Sequence, residues 1–278
     1  MGILPILIGA SIAAAPPHFN AIPAVQPVAA QAAVERHPAL WVVNDNDTII
    51  YLFGTFHALD GRSHWFDQAV KTAFSESGQL MLETLVPEAG RPAGFAPDAV
   101  RGAPPPGQAA TFAPSASSLL ASSRTVMSAG NAEGMSTDLG ADAVLRHAAE
   151  RSGKQVGGLE TFQFQINMFN TLSDAPAAKA PDRQSLLALA QMLRQLEAAW
   201  SRGDLDSFAP MLMQMRAQSP QTYNTMFVQR NARWASWIAN RLKTPGTVFV
   251  AVGAGHLSGP DSLQNQLAAI GVKSARVN

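Results

Sequence analysis

Two stretches of this chain end in the same way. TIIYLFGTFH, residues 48–57, and TVFVAVGAGH, residues 247–256, are each a β-branched and aromatic run closed by a glycine, with a histidine three residues after it. Short apolar runs of this kind fit strands buried on both faces, a condition met chiefly where helices cover a largely parallel sheet. The remaining pattern agrees. LWVV at 40–43 and the run from Thr48 flank Asn44-Asp45-Asn46-Asp47, residues suited to a tight turn, so a β-hairpin is expected. An amphipathic helix over 64–77 leads to a short buried strand, QLMLE, ending on Glu83. A serine-rich, weak helix is expected over 115–130, then a helix over 141–151 stopped by Gly153, and KQVGGLE as a strand ending on Glu160. From Thr161 to Leu242 the sequence reads as almost wholly helical, with Leu186, Leu189, Leu193 and Leu196 at helical spacing within 185–203. A helix over 261–269 and an edge strand in SARVN follow at the end. The predicted class is therefore α/β: a mostly parallel central sheet with an N-terminal β-hairpin, flanking helices and a helical insertion.

Composition narrows the chemistry. With 278 residues, 47% of them hydrophobic and 14% charged, the protein can bury a substantial core. Twenty basic residues balance twenty acidic ones, and no basic motif is present, so nucleic acid is not an expected partner. The absence of cysteine removes disulfides, thiol nucleophiles and iron–sulfur clusters, so that any metal must be held by His, Asp or Glu.

The first residues, MGILPILIGASIAAAPP, form an apolar run of signal-peptide length, shorter than the about 20 residues of a membrane span. The Ala/Pro-rich segment after it offers a small-x-small site at Ala30-Gln31-Ala32. Residues 1–38 are thus expected to be an export segment and linker, and 39–278 a single domain in the periplasm or cell envelope. After cleavage no membrane-spanning segment would remain. Within the domain, 88–114 is Pro/Gly-rich and expected to be a variable loop or flap, since Pro105 and Pro106 can neither continue a helix nor donate to a sheet.

Parallel α/β sheets place their chemistry just beyond the carboxyl ends of the strands. Four polar residues fall there: His57, Glu83, Glu160 and His256. A Gly-x-x-His match is by itself weak, because 21 glycines and 6 histidines in 278 residues yield about half of one by chance. Three occur, and the one at Gly61 to His64 follows a turn rather than a strand. The two strand-end copies, Gly54 with His57 and Gly253 with His256, share a context, and that coincidence carries the information. Glycine permits a sharp turn and leaves room beside the strand end. Two imidazoles and a carboxylate from different strands make a metal site with open positions, where a bound ion polarises a carbonyl or activates water. One histidine acting as general base beside a glutamate is the alternative without metal. Glu83 closes a strand and is the better candidate ligand, whereas Glu160 precedes a helix and could serve its N-terminus. Arg230, within the apolar helix around VQRNARW, could pair with a buried carboxylate or clamp one on a substrate. His18, His37 and His147 are expected to be incidental.

These stretches, LWVVNDNDTIIYLFGTFHALD, LMLET, DLGADAVLRHAAERSGKQVGGLET, QRNARWASWI and VFVAVGAGHLSGPDSLQNQLAAIGV, together resemble the TraB/GumN family, whose relatives include the Tiki proteins. The resemblance implies two GxxH motifs, here Gly54 with His57 and Gly253 with His256, plus a glutamate and an arginine matched by Glu83 and Arg230. It also implies an architecture shared with erythromycin esterases and a haem-binding lipoprotein group (EreA/ChaN-like), and a divalent-metal-dependent protease activity. The sequence departs from the family pattern between Glu88 and Ser136. The resulting expectation is an exported hydrolase acting on peptide bonds, with Mn, Co or Zn held by His57, His256 and Glu83, Glu160 as base and Arg230 as clamp. The competing expectation is a non-catalytic envelope protein that binds haem, a metal or a polysaccharide-export partner.

Overall fold

The computed structural model describes residues 37–85, 117–172 and 181–278. The expected export segment up to residue 36, its cleavage site and the Pro/Gly-rich stretch 88–114 lie outside the described residues. The protein forms strands β1 (Leu40–Asn44), β2 (Thr48–Thr55), β3 (Gln79–Thr84), β4 (Gln155–Glu160), β5 (Gly246–Gly253) and β6 (Ala275–Arg276). Its α-helices among the described residues are α1 (Gln68–Glu76), α2 (Ser117–Ala132), α3 (Ala141–Arg151), α4 (Phe162–Thr171), α5 (Arg183–Ser201), α6 (Ala209–Gln218), α7 (Pro220–Tyr223), α8 (Gln229–Arg241) and α9 (Leu263–Ala269). A π turn over Asn224–Val228 joins α7 to α8.

The six strands form one mixed sheet in the order β4-β3-β5-β2-β1-β6. β4, β3, β5 and β2 are parallel neighbours, while β1 runs antiparallel to both β2 and β6. This is the α/β architecture expected, with the hairpin at one side and the helical segment from α4 to α8 inserted between β4 and β5. The hairpin turn is held by Asp45, whose carboxylate accepts from the amides of Asp47 at 3.2 Å and Thr48 at 2.9 Å.

Three helices, α1, α4 and α5, begin where the sequence supplies a side-chain cap. α1 starts at Gln68 rather than at His64 because the Asp67 side chain accepts the Val70 amide at 3.1 Å and fixes the helix start. Asp182 does the same for α5 through the Ser185 amide at 2.8 Å, so this helix begins at Arg183, ahead of the expected start. Gly153 and Gly203 follow the ends of α3 and α5 with positive φ, as helix-stopping glycines do.

The core lies on both faces of the sheet. β5 buries Val248 to Val252 without interruption, and β2 buries Ile50, Leu52 and Phe53. On one side Trp200 of α5 packs among Phe53, Phe56 and Trp65, and its indole N–H donates to the Gly54 carbonyl at 2.6 Å. The helical insertion thus closes directly over the first GxxH motif. Replacing Trp200 by Phe removes that donor and part of the ring, and should lower stability by about 1–3 kcal/mol. The urea midpoint of the two proteins, at equal denaturant slope, checks it.

Candidate functional site

Parallel pairing of β2 with β5 is continuous from Thr48 opposite Gly246 to Thr55 opposite Gly253. The two GxxH motifs therefore leave neighbouring strands at the same edge of the sheet. β3 lies on the other side of β5, and β4 beyond it, so Glu83 and Glu160 reach that edge as well. His57, Glu83, Glu160 and His256 are brought together there, and Arg230 joins them from α8.

Arg230 sits between the acids. Its side chain is 4% exposed, and its Nε donates to both Glu160 oxygens at 3.0 Å. Its Nη2 lies 2.7 Å from Glu83 Oε2 and 2.9 Å from Glu160 Oε2. Its Nη1 donates to His256 Nε2 at 3.1 Å and to the Met226 carbonyl at 3.4 Å. The guanidinium also lies 4.6 Å from the centre of the Trp234 ring. Burial works against the charge, yet Glu160 and Glu83 outweigh it and raise the arginine pKa.

That contact assigns the state of His256. Arginine only donates, so Nε2 accepts and is unprotonated. Nδ1 must then carry the proton, which it gives to Asn231 Oδ1 at 2.7 Å. The Asn231 amide is itself oriented, because its Nδ2 donates to the carbonyls of His256 at 3.3 Å and Asp261 at 2.7 Å. Phe227 and Trp234 press on the imidazole, with ring centroids 4.9 and 4.5 Å away. Burial, reinforced by Arg230 against the opposing pull of Glu83, holds the His256 pKa down to about 3.

His57 is held by different means to the same end. Its Nδ1 lies 3.0 Å from Asp142 Oδ1, in the first turn of α3. Burial opposes protonation, but the charge and hydrogen bond of Asp142 prevail and raise the pKa above the ordinary histidine value. With Nδ1–H directed to the carboxylate, Nε2 faces the strand end, where it takes no hydrogen bond from any described residue. A Cβ on Gly253 would lie 2.9 Å from His57 Nε2 and 3.1 Å from Glu83 Oε1. The motif glycine is therefore required by the approach of two functional side chains, and its φ of −54° needs no special freedom. Gly54 allows a similar closeness to Ala254 and Leu257, at 3.3 Å each. Gly140, ahead of α3, cannot carry a side chain, since its Cβ would meet the His57 carbonyl oxygen at 2.1 Å.

Glu83 links the two histidines. Its Oε1 accepts the Gly253 amide at 2.6 Å and lies 3.6 Å from His256 Nε2. Burial alone would raise its pKa, but Arg230, the imidazoles and the Gly253 amide hold the carboxyl well below the usual range. Glu160 is enclosed behind it, 1% exposed, also bonded by Gln165 at 3.4 Å and paired with Arg233 at 3.5 Å. Its backbone leads into α4, yet Thr161 caps that helix, accepting the Phe164 amide at 3.0 Å. The Glu160 side chain serves Arg230 instead of the helix end.

The donor chemistry suits a divalent ion: two imidazoles in the Nδ1–H tautomer, each oriented by a second polar side chain, with an ionised carboxylate oxygen beside both. Among the described residues, however, no group of three or more His, Asp or Glu side chains stands at metal-holding spacing. Arg230 occupies the Nε2 lone pair of His256. His57 Nε2 and Glu83 Oε1 carry the fit.

Asp142 and Asn231 were not singled out by the sequence, although each had a signal: an acid in the first turn of a helix, and an amide next to Arg230. The other histidines lie elsewhere. His37 pairs with Asp67 at 2.6 Å, and His147 is half exposed 3.8 Å from Glu150.

Two expectations follow. Gly253→Ala should fold, yet push His57 and Glu83 apart, and NMR of the imidazole nitrogens would register a changed His57 environment. His256 should keep its Nδ1–H tautomer without titrating as pH falls from 8 to 5. Because the unfolded imidazole protonates near pH 6.5 and the folded one only near 3, this group lowers folding stability progressively across that interval, by up to about 1.4 kcal/mol per unit. The pH dependence of the urea midpoint checks the sign.

Comparison with known proteins adds the lineage. Searches of curated proteins and of solved structures return no match. A model of the TraB/PrgY/gumN family matches residues 39–96 and 98–276, spanning both GxxH motifs, Glu83, Glu160 and Arg230, and the protein belongs to that family.

Proposed function

We propose that this protein is a hydrolase of peptide-like bonds that works with a divalent metal, Mn, Co or Zn, held by His57, Glu83 and His256. The observation that supports this most is that both histidines are fixed with Nδ1–H turned away and Nε2 turned towards one ionised carboxylate. A bound ion there would polarise the substrate carbonyl and lower the pKa of a water. Everything else is the work of the protein's own side chains. Asp142 and Asn231 set the imidazole tautomers, and the Gly253 amide with Arg230 sets the Glu83 carboxylate. Glu160 braces Arg230, so in this reading Glu83 replaces it as the carboxylate at the reacting position. The apolar run at residues 1–17, of signal-peptide length, supports an envelope location for the enzyme.

The saturation of Arg230 supports a second reading, a binding protein with no turnover. Its guanidinium already contacts both glutamates, and with Arg233 the two arginines match the two acids in charge, so the site is balanced without a metal.

Thermal melting with and without each ion separates the two. At a hundredfold excess over the dissociation constant, a specifically bound ion stabilises the fold by about 2.7 kcal/mol. Wild type should gain this, whereas His57→Ala and Glu83→Gln should not. Metal-dependent cleavage of a mixed peptide library by wild type, reduced at least about 100-fold in Glu83→Gln, is the expected activity result. Unchanged melting with every ion would sink the metal reading, and absence of cleavage would leave the binding role.

A further inference from the structure

Arg230 is too fully engaged to hold a substrate. Its Nε, Nη1 and Nη2 are directed at Glu160, His256 and Glu83, and it is 4% exposed. One turn further along α8 stands a second arginine with the opposite properties. The Arg233 side chain is 39% exposed, and its carboxylate contact is a single approach of Nη2 to Glu160 Oε1 at 3.5 Å. That oxygen already receives the Arg230 Nε at 3.0 Å. Beyond this one long contact, no described residue accepts from Arg233, so most of its fork of donors is unspent. The guanidinium is nevertheless fixed in direction, because it lies 4.6 Å from the centre of the Phe164 ring. Burial against this wall lowers its pKa, with Glu160 opposing.

We infer that Arg233 is an anchor for a carboxylate on the molecule that enters this site. The position fits. Arg233, Glu160, Arg230 and Glu83 form a row of alternating charge that runs from the rim to the strand end facing His57. An anion on Arg233 extends that row outward. The charge of the ligand follows as well. The two arginines balance the two glutamates, so a carboxylate, with one negative charge, meets less repulsion from Glu160 than a dianion such as phosphate would. The flanking surface is apolar: Phe162 and Phe164 are only partly buried and belong to a satellite cluster with Met168 and Phe227. Phe227 also touches His256. A carboxylate attached to a bulky apolar group matches both parts, and a planar guanidinium binds a carboxylate through two parallel hydrogen bonds.

Calling this ligand a substrate rests on the hydrolase reading; the binding itself does not. The test is therefore a binding measurement. Calorimetry on the full-length protein would compare N-acetylphenylalanine with N-acetylphenylalaninamide, and with N-acetylglutamate α-amide, whose carboxylate is on the side chain. Wild type should bind at least one carboxylate about tenfold more tightly than the neutral amide. Which of the two acids is preferred tells a terminal α-carboxylate from an acidic side group. Arg233→Gln should abolish the preference while leaving affinity for the amide within about twofold, and Arg233→Lys, which keeps the charge without the fork, should retain only part of it. Equal binding of acids and amide by wild type, no binding of any of the three, or an equal loss for all three in Arg233→Gln would overturn the inference. Discrimination without peptide cleavage would uphold the anchor and remove the hydrolase reading.

Discussion

Everything at the sheet edge depends on one buried cation. Two carboxylates and an imidazole cannot be packed together away from water without a partner, because each ion removed from solvent costs several kcal/mol that only close opposite charge and hydrogen bonds recover. Arg230 supplies both. It is long enough to reach Glu160 at the end of β4, Glu83 at the end of β3 and His256 beyond β5, so one side chain spans three parallel strands. Its donors dictate which atoms of its neighbours remain available. Glu83 keeps Oε1 for the Gly253 amide and the space in front of His57, and His256 is forced to hold its proton on Nδ1. Removing the arginine would leave two acids side by side, which is a larger disturbance than the loss of one ion pair.

The fold frames this arrangement through register. Parallel strands place their carboxyl ends on one edge, and the eight-residue alignment of β2 with β5 sets Gly253 beside Thr55. A slip of one residue would reverse which face each strand-end side chain occupies. The uninterrupted burial of β5, from Val248 to Val252, makes such a slip costly. The helices then bring what strands cannot. α3 delivers Asp142 because Gly140 lets it close on the His57 carbonyl, and α8 delivers Arg230 and Asn231 on one face.

Much of this could be read from the sequence. The α/β class followed from apolar runs that have no polar alternation, and the meeting of His57, Glu83 and His256 followed from the strand-end rule. What could not be read was the chemistry between the residues. Glycine at position 253 suggested a turn, but its function is to admit His57 and Glu83, a contact between segments about 170 to 200 residues apart. For Arg230 the sequence left two roles open, a pair with a buried carboxylate or a clamp on a substrate, because an arginine in an apolar helix has no visible partner in one dimension. Only the fold reveals that both glutamates are spent on it. Asp142 and Asn231 were invisible for the same reason, since a single polar residue in a helical stretch carries no label for what it orients. The start of α1 was misjudged where Asp67 caps it, an ordinary case of local capping overriding an apolar pattern.

The hydrogen bond from the Gly253 amide to Glu83 has a bearing on time. Pairing between β3 and β5 runs only to Leu82 opposite Ala251, and beyond it a side chain takes over the role of a strand neighbour. A carboxylate on a loop can change rotamer within nanoseconds. This one is tied to the last amide of a strand with a fully buried interior, and to Arg230, which narrows the rotamers open to it. Core strands open on the slow clock of global unfolding. The sheet thus gives the acid a fixed anchor point, which limits how far it can turn between one encounter and the next.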